Sequence, residues 1–316
     1  MILSLGRSSG STAGAVWAVI ASAALFGTSG TAVALVGVEA SGAALAASRL
    51  IVGAAGLLLI VRLQPAMRRF VYQLWRRPLV WVMGLGVAGY QAMFFIGVSR
   101  IGVAVGTLVS LALAPFLAGI LGWILKEGAP GVVWLFSTVL AIVGVGLLTS
   151  GGIARQDMVG VAAAMGAGSC YAVFTVLGVR LSRQGIPATT VLAASFTIAA
   201  AVSIPSFVLA GLWWWSPQGV LLLLWLGLAT TTLAYLLFGM GLTRLQPGHI
   251  ATLNLAEPVV ATLLGVMVLG EVLGGWGWLG SVLVLAALGM LGVLGNDRRG
   301  RQAPPGAATS REWEPA

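Results

Sequence analysis

Ten stretches of this sequence stay apolar for the full width of a membrane, and no other feature constrains the fold as strongly. They run over 14–36, 41–62, 78–98, 102–125, 131–149, 158–180, 187–210, 217–239, 248–269 and 274–295. At about 1.5 Å per residue each can cross roughly 30 Å of hydrocarbon, some with tilt. Helices suit such segments because a backbone in lipid must satisfy its polar groups within the segment. Composition agrees, since 59% of the 316 residues are apolar and only 8% are charged. A soluble domain carries about 25% charged residues to face water. The expected fold class is an all-α integral membrane protein with ten transmembrane helices.

The net charge of +9 raises the question of nucleic acid. The basic residues lie instead in short loops and the tail, where they act as topology signals. Fourteen of the 17 fall on one side if both termini are cytoplasmic, in the segments holding Arg7, Arg62 to Arg77, Lys126, Arg180 and Arg183, Arg244 and the tail. Arg100 and Arg155 fall outside, and Arg49 lies within a span. The expectation is a multi-pass protein of the inner membrane, with lipid and a small-molecule substrate as partners and no nucleic acid. No cleaved signal is expected, because Arg7 precedes a first apolar run of full length. The tail over 296–316 reads as disordered. Cys170 has no second cysteine and His249 no second histidine, so neither a metal site nor a cofactor is expected. A cluster of nucleophile, base or ligands suited to intramembrane catalysis is also missing from the sequence.

The chain repeats itself. Gly97-Val-Ser-Arg100 answers Gly241-Leu-Thr-Arg244 at an offset of 144, and Tyr90 answers Tyr235 at 145. Pro115 and Pro258 are 143 apart, and each is followed by an apolar run that ends in Glu127 or Glu271. Trp134 and Ser137 recur as Trp278 and Ser281, and Leu45-Ala-Ala-Ser48 as Leu192-Ala-Ala-Ser195. The reading is two five-helix repeats, 14–149 and 158–295, flanked by a cytoplasmic N-terminus over 1–13 and the tail. Five helices per repeat would invert the second copy, an arrangement common among secondary transporters.

On these motifs, and on the Glu257-Pro258 pair and the basic Arg49 in the second span, the chain resembles the EamA-type transporters of the drug/metabolite transporter superfamily over about 12–295. The resemblance implies a ten-helix bundle and proton- or gradient-driven movement of small metabolites, commonly amino-acid export. Broad export of drugs or toxic compounds is the alternative within that family.

Several residues stand out for their chemistry. Glu257 is an acid well inside an apolar run, where an ionised carboxylate is expensive and therefore a candidate for function. It could take up a proton on either side, bind a substrate ammonium, or be fixed by hydrogen bonds to neighbouring helices. Its repeat counterpart is Ala114, so only one half carries the acid. Asn254 is expected on the same helical face as Glu257, where its amide could serve a polar substrate or join helices. Arg49 cannot give up its charge; it could meet a substrate carboxylate, pair with an acid, or snorkel. Trp17, Tyr90, Gln91, Phe94, Tyr171, Phe174 and Tyr235 lie in helices that line the central cavity of the resembled family. Pro115 and Pro258, matched interruptions of two helices, are the expected hinges.

Overall fold

A computed structural model describes residues 11–38, 40–129, 131–148, 157–270, 272 and 274–294. Glu271, the expected tail and most of the N-terminal segment lie outside the described residues. Among the described residues, helix makes up most of each apolar run. The helices are α1 (Thr12–Val36), α2 (Gly42–Arg62), α3 (Pro65–Leu74), α4 (Pro78–Ile101), α5 (Val103–Ile124), α6 (Val132–Leu148) and α7 (Met158–Arg183). There follow α8 (Ala188–Leu209), α9 (Pro217–Leu224), a π-helical segment (Trp225–Leu233), α10 (Ala234–Arg244), α11 (Pro247–Leu253), α12 (Ala256–Leu269) and α13 (Gly275–Leu294). No strand occurs among the described residues.

Seven helical stretches are long and apolar enough to cross a membrane, and three shorter apolar helices accompany them. Their ends obey local rules. Ser11, Ser41, Asp157 and Ser216 cap helix N-termini by accepting backbone N–H bonds. Pro65, Pro78, Pro217 and Pro247 open helices where a missing N–H costs nothing. Gly37 and Gly270 close α1 and α12 in the left-handed conformation that glycine tolerates. Large apolar side chains such as Leu59, Phe136, Val202, Leu221 and Val282 point outward, each more than 45% exposed. That much outward apolar surface suits hydrocarbon and not water.

Helix α4 packs on α7 and α8, α5 on α7 and α11, α6 on α13, α2 on α8 and the π segment, and α1 on α10 and α12. Small residues permit the closest approaches. A Cβ on Gly53 would come to 2.3 Å from Thr231 Cγ2, and one on Gly227 to 2.3 Å from Val52 Cγ1. Two features depart from the expected outline. The stretch between α2 and α4, read as a basic loop, contains α3, whose Val71 and Leu74 are buried while Tyr72 is exposed. The expected helix over 248–269 is two helices, broken at Asn254 and Leu255.

Candidate functional site

Pro258 permits the break between α11 and α12. Proline has no N–H to give to the carbonyl four residues earlier, here that of Asn254. The Asn254 oxygen takes the Glu257 N–H instead, at 3.0 Å, and Leu255 N–H bonds to Thr252 O at 3.0 Å. The turn is tighter than α-helical and sets Glu257 at the start of α12. Asn254 and Glu257 therefore do not share the face of one continuous helix, although they stay within a single turn. Asn254 is 5% exposed, and its buried Oδ1 has no hydrogen-bond partner among the described residues.

Arg49 sits in the middle of α2, opposite the π segment. Its Nε donates to Thr231 Oγ1 at 3.4 Å and an Nη donates to Thr230 O at 3.3 Å. The guanidinium carbon lies 5.9 Å from the centre of the Phe26 ring, within cation–π range. A π turn makes the carbonyl available, because Ala234 N–H reaches back to Ala229 O and not to Thr230 O. The wider turn is held by Thr230 and Thr231 hydroxyls donating to Leu226 O, both at 2.8 Å. Such turns recur at functional sites. No ion pair joins Arg49 to an acid among the described residues, so an acid partner is not what holds it.

The aromatic residues form one chain of rings. Phe94 stacks on Tyr90 at 5.7 Å, and Tyr90 meets Tyr171 at 6.0 Å. Tyr171 meets Phe174 at 6.3 Å, and Phe174 meets Tyr235 at 5.9 Å. Tyr235 ends the chain against Phe196 at 4.3 Å and Phe26 at 5.1 Å, beside Arg49. Gly27, next to Phe26 on α1, packs against the backbone oxygen of Glu257. Of the expected residues, Glu257, Asn254, Arg49, Tyr90, Phe94, Tyr171, Phe174 and Tyr235 thus gather around one region. Gln91 is half-buried beside Tyr90. Trp17 stands apart, 69% exposed on α1. Pro258 lies at the broken turn, whereas Pro115 lies inside an unbroken α5.

Phe26, Phe196, Thr230 and Thr231 were not among the expected site residues. Three successive threonines at 230–232 in an apolar run were a legible sign of unusual hydrogen bonding; the two phenylalanines carried none. Among the described residues no group of three His, Cys, Asp or Glu could hold a metal.

At one end of the bundle α5 closes with Lys126 at φ 60 and Glu127 N–H bonded to Gly122 O at 2.7 Å, a left-handed cap. This turn brings Glu127 to Arg183, at the end of α7. The Arg183 guanidinium donates to the Glu127 carboxylate at 3.2 Å, to Glu127 O, and to Leu245 O at 3.3 Å. Nearby, α5 and α11 touch through Gly122 and Pro247 and through Ala118 and Ala251. At the opposite end α5 makes no comparable contact with α12 among the described residues.

Residues 158–293 match the EamA-like transporter family. An uncharacterized transporter, YwfM of Bacillus subtilis, is 36% identical, over 90% of this chain and 95% of that protein. The threonine/homoserine exporter RhtA of Salmonella typhimurium is 34% identical, over 78% of this chain and 85% of its own. RhtA of Escherichia coli K12 is 32% identical, over 69% and 71%. A crystal structure of a protein with 22% identity superposes with a TM-score of 0.76, covering 90% of this chain and 98% of that one. A multi-pass helical protein with these relatives acts on a small molecule in a lipid bilayer and is not an enzyme. The chain belongs to the EamA-like transporter family of the drug/metabolite transporter superfamily.

Proposed function

We propose that this protein exports amino acids or closely related metabolites by alternating access between two inverted five-helix repeats, 14–149 and 158–295. The observation that carries this reading is the interrupted helix at Asn254–Pro258, which sets Glu257 and the unpartnered Asn254 Oδ1 within one turn, against α1 where Phe26 joins the aromatic chain. Transporter sites are commonly built at such discontinuous helices. The relatives named as threonine/homoserine exporters favour a polar amino acid over a greasy drug.

Packing supports the repeat. Exchanging the two halves turns the α4–α7 contact into α10–α1 and the α5–α7 contact into α12–α1, and all four exist. The α2–α8 and α6–α13 contacts map onto themselves. The α5–α11 contact lacks its mirror image: among the described residues α5 packs closely on α11, at the Gly122–Pro247 end, and makes no comparable contact with α12. An alternating carrier needs such an asymmetry, and swapping the shapes of the two halves would close the parted end. If the positive-inside bias holds, both termini and the Glu127–Arg183 end face the cytoplasm, and the parted end faces outward. Glu257 then serves as the proton- or substrate-coupling group.

Purified protein in liposomes, tested by counterflow against an amino-acid panel with and without a pH gradient, checks this reading. Threonine or another small amino acid should exchange, and the gradient should drive net movement. Glu257→Gln should reduce coupled flux at least about tenfold with folded protein retained, since an acid in a membrane interior is costly to keep without a use. Full activity in that variant, or flux only of cationic drugs, would sink the proposal.

A further inference from the structure

The interior holds two opposite charges that do not meet. Adjacent residues of α1 touch the Arg49 guanidinium and the backbone of Glu257, so the two residues neighbour the same turn of α1. The Phe26 ring lies 5.9 Å from the Arg49 guanidinium carbon. A Cβ on Gly27 would lie 2.8 Å from the Glu257 carbonyl oxygen. Yet among the described residues no Arg49 nitrogen comes within 4.0 Å of a Glu257 carboxylate oxygen.

Each charge has unused capacity. Arginine has five donors in a planar fork, and Thr230 O and Thr231 Oγ1 are the hydrogen-bond acceptors the structure gives it. Those contacts, with Phe26 beneath, hold the fork in place. The Glu257 carboxylate accepts no hydrogen bond among the described residues, and Asn254 Oδ1, one turn away, is buried with none. One corner therefore offers donors with a positive charge. The other offers acceptors with a negative charge, and α1 packs against the residues of both corners.

We propose that the two corners read the two charges of a zwitterionic α-amino acid. Arg49 takes the α-carboxylate, Glu257 with Asn254 Oδ1 takes the α-ammonium, and the side chain lies on the Tyr235–Phe174–Tyr171 rings. This assignment rests on the amino-acid export reading and names the groups behind it. A guanidinium fork matches a carboxylate in two parallel bonds. An ammonium has three donors and no acceptor, which suits a corner of carboxylate and amide oxygens. A solute with only one of the charges leaves the other corner buried and unpaired, and sites built on hydrogen bonds reject such analogues strongly.

The test uses full-length protein in liposomes and three solutes of one skeleton. Threonine carries both charges, 1-amino-2-propanol lacks the carboxylate, and 3-hydroxybutyrate lacks the ammonium. Unlabelled threonine should compete with labelled threonine at least about tenfold better than either analogue. Arg49→Gln should raise the KM for threonine at least about tenfold and leave the weak competition by the amine as it was. Glu257→Gln should weaken threonine similarly and leave the hydroxy acid as it was. Equal competition by all three solutes in the wild type overturns the assignment, and needs no variant to fold. So do variants that weaken all three solutes alike. Wild-type protein that moves another solute but no amino acid overturns the export reading, and this inference with it. Threonine flux without charge selectivity overturns the inference alone.

Discussion

Pro115 and Pro258 occupy matching places in the sequence repeat, and the chain accommodates them differently. Around Pro115, α5 runs unbroken from Val103 to Ile124. At Pro258 the helix divides, and Glu257 N–H fills the place of the lost donor. Both prolines remove the same bond, so the difference comes from their surroundings. The turn before Pro115 contains Ser110, whose hydroxyl contacts Gly106 O at 2.8 Å and Ala164 O at 2.9 Å, fastening that turn to α7. The turn before Pro258 begins with Asn254, a residue that favours turns over helix interiors. Helix α1 presses on the break itself through Gly27 at Glu257 O, and Gly168 of α7 meets α5 from Ser110 O up to Ala114 N. Proline permits a break, and packing decides whether one forms. The polar residues gather where it does.

The largest effect should come from repairing the break. Pro258→Ala restores a donor for Asn254 O, joins α11 to α12 and removes a proline that typically costs about 3 kcal/mol inside a helix. Flux should fall at least about tenfold while the unfolding temperature holds or rises. Pro115→Ala, in a helix already continuous, should change flux less than about threefold. Equal losses from both would end the distinction drawn here.

Next in size are the two glycines. Gly27→Ala would set a Cβ 2.8 Å from Glu257 O and 3.0 Å from Val260 Cβ. A backbone oxygen cannot rotate away, so α1 and α12 must part, at a cost of about 1–3 kcal/mol. Gly168→Ala meets Ser110 O at 2.6 Å and should destabilise comparably. Only Gly27→Ala should lower flux per folded molecule. Thermal unfolding in detergent and normalised counterflow separate the two effects, and equal losses of flux would place the sensitive contact elsewhere.

How much of this could be read beforehand depends on how local the cause was. The apolar runs announce their helices, because length and composition are enough. Helix α3 escaped because its few buried residues, Val71 and Leu74, are outnumbered by Arg, Gln and Tyr. Glu257 and Arg49 were conspicuous as charges among apolar neighbours, but their partners lie about 180 or more residues away or not at all. Arg49 depends on Thr230 and Thr231, and no sequence rule aligns those helices. The prolines were visible, yet their surroundings, Ser110 fastened to Ala164 of α7 and Glu257 O pressed by Gly27 of α1, depend on how distant helices pack. Phe196 is the repeat counterpart of Arg49, and its role against Tyr235 emerges only when α8 meets α10.

The two ends of the bundle extend the contrast between the halves. At the touching end Arg183 ties α7 to Glu127 and Leu245, and the acid is only 11% exposed in its side chain. Arg183→Gln should loosen that end. Hydrogen exchange over 245–253 should rise severalfold, because local opening follows the loss of buried contacts. Unchanged exchange there would mean that α5 and α11 hold the end closed without the arginine.

The smallest effect belongs to the other end of α7. Asp157 caps that helix through Val159 N–H at 2.9 Å and pairs with Arg100 at 2.9 Å, with side chains 33% and 49% exposed. The Arg100 guanidinium, more than any other contact, holds its carboxyl below the usual carboxylate value. A lowered value in the folded state means the stabilisation is present at neutral pH and is lost as pH falls through that value. Asn caps a helix about as well as Asp, so Asp157→Asn removes mainly the attraction to Arg100. The unfolding temperature should drop slightly at pH 7 and low salt. The gap to wild type should close at about 1 M salt, where such exposed pairs are screened, and again once pH falls below that lowered value, where the native acid is itself protonated. A large drop would mean that this exposed pair fastens its end as firmly as Glu127 and Arg183 fasten the other, and the asymmetry would then have to lie in the α5–α11 contact alone.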